Sequence, residues 1–186
     1  MKKLILASGS PRRKELLKEL GYPFEVTPSN IDETININND IREEIEKLSY
    51  NKAYSIFKDN KDSIVIGADT VVVKNNTIYG KPKNKDEAFK MLKSLSNEEH
   101  YVITGVSILS NKMSETFSSQ TIVKFGEMSD KEIYNYIENE NVLDKAGAYA
   151  IQGGAKKFIE SINGEYYTIV GLPIYELNKR IKKYYE

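Results

Sequence analysis

The sequence predicts an α/β fold built on a mixed sheet with flanking helices. Three observations carry that prediction. An apolar run near the start feeds straight into a capped helix, and a second apolar run is followed by a tight turn and a returning strand. Two long strand-like stretches then precede further helical segments.

Taken in order, residues 3–7 read as a buried strand. Ser10 suits an N-cap and Pro11 the first helical position, Leu16, Leu17 and Leu20 form an apolar stripe, and Gly21 stops the helix. Residues 22–39 read as irregular, with Pro23, Pro28 and the acidic pair Asp32-Glu33. A charged amphipathic helix follows from about Asp40 to Lys58, with Ile41, Ile45, Leu48, Ala53 and Ile56 inward. Ser63–Ala68 reads as a strand interrupted by Asp69-Thr70 and resumed by Val71–Val73, and Asn75-Asn76 turns it back into Thr77–Tyr79. Asn84 and Glu87 are spaced as a capping box for a helix to Leu95, as are Ser129 and Glu132 for a helix to about Ile137. Between them, strands cover 100–109 and 116–126, joined at Asn111-Lys112. Residues 141–171 read as glycines between short strands, and Pro173 opens a last helix.

With 186 residues, no repeat and no long linker, the chain reads as one domain, 1–186. Twenty-seven basic residues balance twenty-seven acidic ones, so nothing global draws it to nucleic acid or an anionic membrane. The absence of cysteine excludes disulfides, zinc–thiolate sites and a cysteine nucleophile. The apolar run at the start is too short for a signal peptide, and no segment approaches the roughly 18 apolar residues of a membrane span, so a cytoplasmic location is expected.

Four stretches carry the chemistry. In Ser8-Gly9-Ser10-Pro11-Arg12-Arg13, free N–H groups at a helix start meet two guanidinium groups, an arrangement suited to phosphate oxygens; the alternative is two solvent-facing arginines. Asp69 follows an apolar run and, if buried, needs a cation, a metal or a functional water; alternatively it caps a strand end. In Gly80-Lys81-Pro82 the lysine is held extended, to meet a phosphate or simply solvent. In Ile151-Gln152-Gly153-Gly154 the paired glycines suggest backbone approach to a flat ligand and Gln152 offers a donor and an acceptor to a base edge, unless this is a plain turn. Lys52 and Glu33 are by themselves indistinguishable from surface residues. The only histidine, His100, reads as a structural hydrogen-bonder. Carboxylates, lysines and arginines are therefore left to do the chemistry, and they suit phosphoryl chemistry with an oxygen-bound Mg²⁺ or Mn²⁺.

Together these segments resemble the Maf family of nucleoside triphosphate pyrophosphatases. The resemblance runs through Ala7–Leu17, Asp32-Glu33, Lys52-Ala53, Gly67–Val72, Gly80–Pro82, Thr104–Val106, Asp144–Tyr149, Ile151–Gly153 and Val170–Pro173. It implies an elongated, Maf/ITPase-like mixed sheet with two lobes around a cleft, frequent homodimers and a divalent metal cation. It also implies hydrolysis of a nucleoside triphosphate to monophosphate and pyrophosphate. Asp69 falls on the catalytic base, while Ser8, Arg12, Arg13, Glu33, Lys52, Lys81 and Gln152 fall on substrate- or metal-contacting positions. Glu33 and Asp69 are the implied metal ligands, and Arg12, Thr70 and Gln152 match positions tied to substrate preference. The stretch around Gln152 is similar to the subfamily preferring dTTP and UTP; a preference for 7-methyl-GTP, or a division regulator that binds nucleotide without turnover, are the alternatives. Two departures stand out: Asn97 replaces a glycine, and Gly154 stands where arginine is common.

Overall fold

A computed structural model describes residues 2–185 of the chain. One seven-stranded mixed sheet runs β2-β1-β3-β5-β6-β7, with β4 paired to β3. The first strand, β1 (Leu4–Leu6), is fully buried because three consecutive aliphatic side chains meet apolar neighbours on both faces. Helix α1 (Pro11–Glu19) starts where Ser10 Oγ accepts from the Arg13 N–H, and it ends before Gly21, whose φ of +76° favours a residue without a Cβ. Helix α2 (Ile41–Phe57) begins at Asp40, whose carboxylate accepts from the Glu43 N–H.

Three segments differ from the sequence reading. Within 22–39, Phe24–Val26 (β2) pairs parallel with β1, an edge strand too short and too exposed to show a pattern. The expected interruption at Asp69-Thr70 is absent: β3 (Ile64–Lys74) runs continuously and pairs parallel with β1. It tolerates the polar pair because successive side chains leave opposite faces and each of these two finds partners. Residues 141–171 are not mainly strands. They form 3₁₀ turns at Ala146–Ala148 and Gly154–Phe158, one strand, β7 (Ile159–Asn163), and a short helix, α5 (Tyr166–Val170).

The remaining elements follow the expected order. Asn75 and Asn76, at φ of 49° and 59°, make the hairpin turn into β4 (Thr77–Tyr79). Helix α3 (Lys85–Leu95) is capped by Asn84, but its capping box is incomplete, because the Glu87 carboxylate accepts from the Lys83 N–H instead. Strands β5 (Glu99–Leu109) and β6 (Ser114–Phe125) precede α4 (Asp130–Asn139), where the Ser129–Glu132 box forms in both directions. The last helix, α6 (Ile174–Ile181), follows Pro173. Asn97 adopts a φ of 58°, the left-handed conformation that asparagine tolerates better than most residues other than glycine.

The chain divides into two compact units. The first comprises Met1–Thr70, Thr104–Ser119 and Gly171–Glu186. Its small apolar cluster joins Ile5, Ala7, Ala53, Val65 and Leu109. Two glycines let α2 lie directly on its strands. A Cβ at Gly67 would sit 2.3 Å from the Ser49 carbonyl oxygen, and one at Gly105 2.7 Å from that of Ile45. The second unit comprises Val71–Ile103 and Gln120–Val170, with a larger core that includes Leu92, Phe125, Ile133, Tyr136 and Phe158.

His100 lies in the second core. It is fully buried, its Nε2 is 2.7 Å from the Tyr149 hydroxyl, and its ring meets Phe125 and Tyr149 edge-on. Burial, aided by Lys74, pulls its pKa down to about 4. The folded state therefore binds fewer protons than the unfolded one between about pH 4 and 6.5. Its stabilising contribution is present above that range and is lost as pH falls through it. From pH 7 to pH 5 this amounts to about 2 kcal/mol. Thermal unfolding of wild type and His100→Gln at both pH values checks this: the variant should lose clearly less between them. An equal loss in the two proteins would show that His100 does not control it.

Candidate active site

The first unit brings six of the sequence-predicted residues into two adjoining groups. In one, Lys52 projects from α2 with only 5% exposure, and its ammonium takes two carboxylates. Lys52 Nζ lies 2.5 Å from Asp69 Oδ1 and 2.8 Å from Glu33 Oε1. The neighbouring Asp32 orders the Glu33 loop: its Oδ1 accepts from both the N–H and the hydroxyl of Thr34, which holds its own carboxyl below the usual range. Asp69 is largely covered, and one of its oxygens is fixed by Lys52 while the other has no hydrogen-bond partner among the described residues. A carboxylate held this way has one oxygen ordered by the ammonium and leaves the other without a hydrogen-bond partner among the described residues.

The second group centres on Arg13. Its Nε donates to the Gly171 carbonyl at 2.8 Å, Nη1 to Ser8 Oγ at 3.2 Å and Nη2 to Thr70 Oγ1 at 3.0 Å. Thr70 Oγ1 in turn lies 2.8 Å from Thr104 Oγ1, and Ser8 Oγ also accepts from the Ser10 N–H. Burial lowers the Arg13 pKa and Asp69 opposes that shift; the guanidinium stays charged. The first turn of α1 has no acidic residue, so this cation at a positive helix end is compensated by carboxylates from other elements. The fork of Arg13 thus ties three chain segments together. Arg12, half-buried beside it, makes no hydrogen bond or ion pair with any described residue.

Lys81 and Gln152 belong to the second unit, and both are exposed with no side-chain partner among the described residues. Lys81 follows β4, between Gly80, whose carbonyl accepts from the Gly147 N–H, and the buried Pro82. Gln152 occupies a turn closed by the Gly153 N–H donating to the Ala150 carbonyl at 3.1 Å. The space beside the paired glycines is filled from within the protein. A Cβ at Gly154 would come 2.7 Å from a Glu140 carboxylate oxygen and one at Gly153 3.2 Å from the other. Tyr136, next to this turn, has its pKa pushed up to about 12 by burial, so its hydroxyl stays protonated.

Thr104, the Gly171 carbonyl and the two seating glycines, 67 and 105, escaped the sequence reading as working parts. The glycines carried a visible signal, since each interrupts an apolar strand. The hydroxyl and the carbonyl carried none, because their partners lie far along the chain. Among the described residues, no three histidine, cysteine, aspartate or glutamate side chains are grouped to hold a metal, and no helix is long and apolar enough to cross a membrane.

Comparison with known proteins places the chain in a family. A protein of Bacillus cereus (strain G9842) named dTTP/UTP pyrophosphatase is 46% identical over 184 residues, covering 99% of this chain and 96% of its own. One of the same name from Bacillus anthracis is 45% identical with the same coverage. The structure of the Staphylococcus aureus Ham1 protein superposes with a TM-score of 0.58, over 98% of this chain and 99% of that one, at 15% identity, and so shares the fold. The family model described as Maf-like protein matches residues 3–184, and the chain belongs to the Maf family.

Proposed function

We propose that this chain hydrolyses dTTP and UTP to the monophosphate and pyrophosphate. The observation that carries the reading is Asp69, with one oxygen locked on Lys52 and the other free, inside a chain so similar throughout to proteins of that name. In this reading Asp69 orients a water and takes its proton as the water oxygen bonds to the α-phosphorus. The bond from that phosphorus to the bridging oxygen breaks, and pyrophosphate leaves. Arg12 and Lys81, which have no side-chain partner among the described residues, bind the phosphates, and Lys52 adds positive charge beside them. Ser8 and Thr70, held by Arg13, line the phosphate end; Thr70 and Arg12 bear on substrate preference, and Gln152 reads the base edge.

Glu33 and Asp69 fit a divalent cation: both are oxygen donors, and both already converge on one cationic atom, Lys52 Nζ. With only two carboxylates grouped there, phosphate and water oxygens would complete the coordination of Mg²⁺ or Mn²⁺. Such an ion supplies Lewis acidity and lowers the pKa of water. A single working domain over 1–186, a homodimer and a cytoplasmic location are carried over from the resemblance as parts of the same proposal.

Product analysis tests the reading. Incubation with UTP and Mg²⁺ or Mn²⁺ should release UMP and pyrophosphate in equal amounts. UDP with orthophosphate would overturn it, and nucleotide binding without turnover in either metal would favour the division-regulator alternative.

A further inference from the structure

The turn that carries Gln152 is fastened at both ends by one short stretch of chain. Tyr136, in the last turns of α4, accepts a hydrogen bond at its hydroxyl from the Ala150 N–H at 3.4 Å. Glu140, one helical turn further and at the C-cap of the same helix, accepts at Oε1 from the Gly154 N–H at 2.9 Å. Spacing of four residues puts the two side chains on one side of the helix end. Between the fastened ends, the Ala150–Gly153 hydrogen bond closes the turn and Ile151 is buried, so Gln152 is the exposed side chain of an otherwise anchored loop.

The glycine pair has a defined purpose in this geometry. Any side chain at 154 would overlap the Glu140 carboxylate, and one at 153 would crowd it. The glycines thus leave the carboxylate its place against the backbone.

The geometry points to Glu140, seconded by Tyr136, as the positioning residue that sets where Gln152 presents its amide to the pyrimidine base. It acts through the turn and touches no substrate. This inference rests on the proposed pyrimidine nucleotide reading, in which Gln152 is the base reader. Its effect belongs to recognition of the base and leaves the triphosphate end untouched.

The test compares UTP, GTP and inorganic tripolyphosphate, which has the phosphates but no base. Glu140→Ala should raise KM for UTP roughly tenfold, with the loss in KM rather than kcat, and should narrow the preference for UTP over GTP. Inhibition by tripolyphosphate should stay at the wild-type level. Glu140→Gln, which keeps an acceptor oxygen at the same reach, should recover most of the loss, and Glu140→Asp, one methylene shorter, should recover little. An unchanged KM for UTP, or an equal loss of tripolyphosphate affinity, would overturn the assignment, the second by showing general loosening. Should Glu140→Ala fail to fold, the Gln and Asp variants decide by the same readouts. Gln152→Ala separates the premise from the inference. If it leaves the preference intact, base reading by Gln152 falls and the positioning role with it. If it erases the preference while Glu140→Ala does not, only the positioning role falls.

Discussion

Replacing Asp69 by asparagine should reduce turnover by about a thousandfold or more while leaving nucleotide affinity largely unchanged. The amide keeps the size of the side chain and can still accept from Lys52, so α2 and β3 keep their seating. What disappears is the charge and, with it, the capacity to take a proton from water. The substitution also removes one of the two oxygen ligands offered to a divalent cation, so raising the Mg²⁺ concentration should recover little. Single-turnover rates, together with equilibrium binding of a non-hydrolysable UTP analogue, measure the two effects separately. Activity within a fewfold of wild type would reject Asp69 as the base.

The second large effect is on stability. Arg13→Ala removes three hydrogen bonds at once: the Gly171 carbonyl loses this charged donor, and the Ser8 and Thr70 hydroxyls are left with their Ser10 and Thr104 partners. Loss of a charged donor to partly buried groups costs about 3–5 kcal/mol. For a chain of this size that is a fall in Tm of roughly 10 °C or more. Arg13→Lys should restore little, because an ammonium cannot span three acceptors in the plane of a fork. If Arg13 were chiefly a phosphate ligand, the variant would melt at the wild-type temperature and lose only affinity for nucleotide. That outcome would return Arg13 to the role its motif suggested. Arg12 has no such partners among the described residues and is the arginine proposed for the substrate.

How much of this was legible beforehand depends on how local each cause is. The start of α1 was readable because Ser10, Pro11 and Gly21 act on their own backbone. The Asn75-Asn76 turn was readable for the same reason, since both residues accept positive φ. Asp69 could be singled out because a carboxylate after five apolar residues is physically costly unless paired. Its partner could not: Lys52 looks like any other lysine of a charged helix until Gly67 and Gly105 let that helix down onto the sheet. Continuity of β3 through Asp69-Thr70 was hidden for a related reason. A polar pair in a strand is tolerable only when partners wait on both faces, and those partners come from α1, α2 and β5. Arg13 was recognised as important, but its tie to the Gly171 carbonyl was hidden, because that acceptor lies 158 residues away. The glycines of the Gln152 turn suggested backbone approach to a flat ligand, and the structure shows a close approach from within the protein. What approaches is Glu140, which no spacing rule connects to it.

The alternation of β3 has one more consequence. Asp69 and Thr70 are adjacent in sequence but leave opposite faces of the strand, one toward Lys52 on α2 and the other toward Arg13 on α1. Thermodynamic coupling therefore follows partners rather than proximity along the chain. Position 69 is coupled to position 52, seventeen residues away, and position 70 to position 13, fifty-seven away. Variation at Thr70 can thus be explored by mutation, with compensation at Thr104, while Lys52 keeps its hold on the carboxylate of the other face.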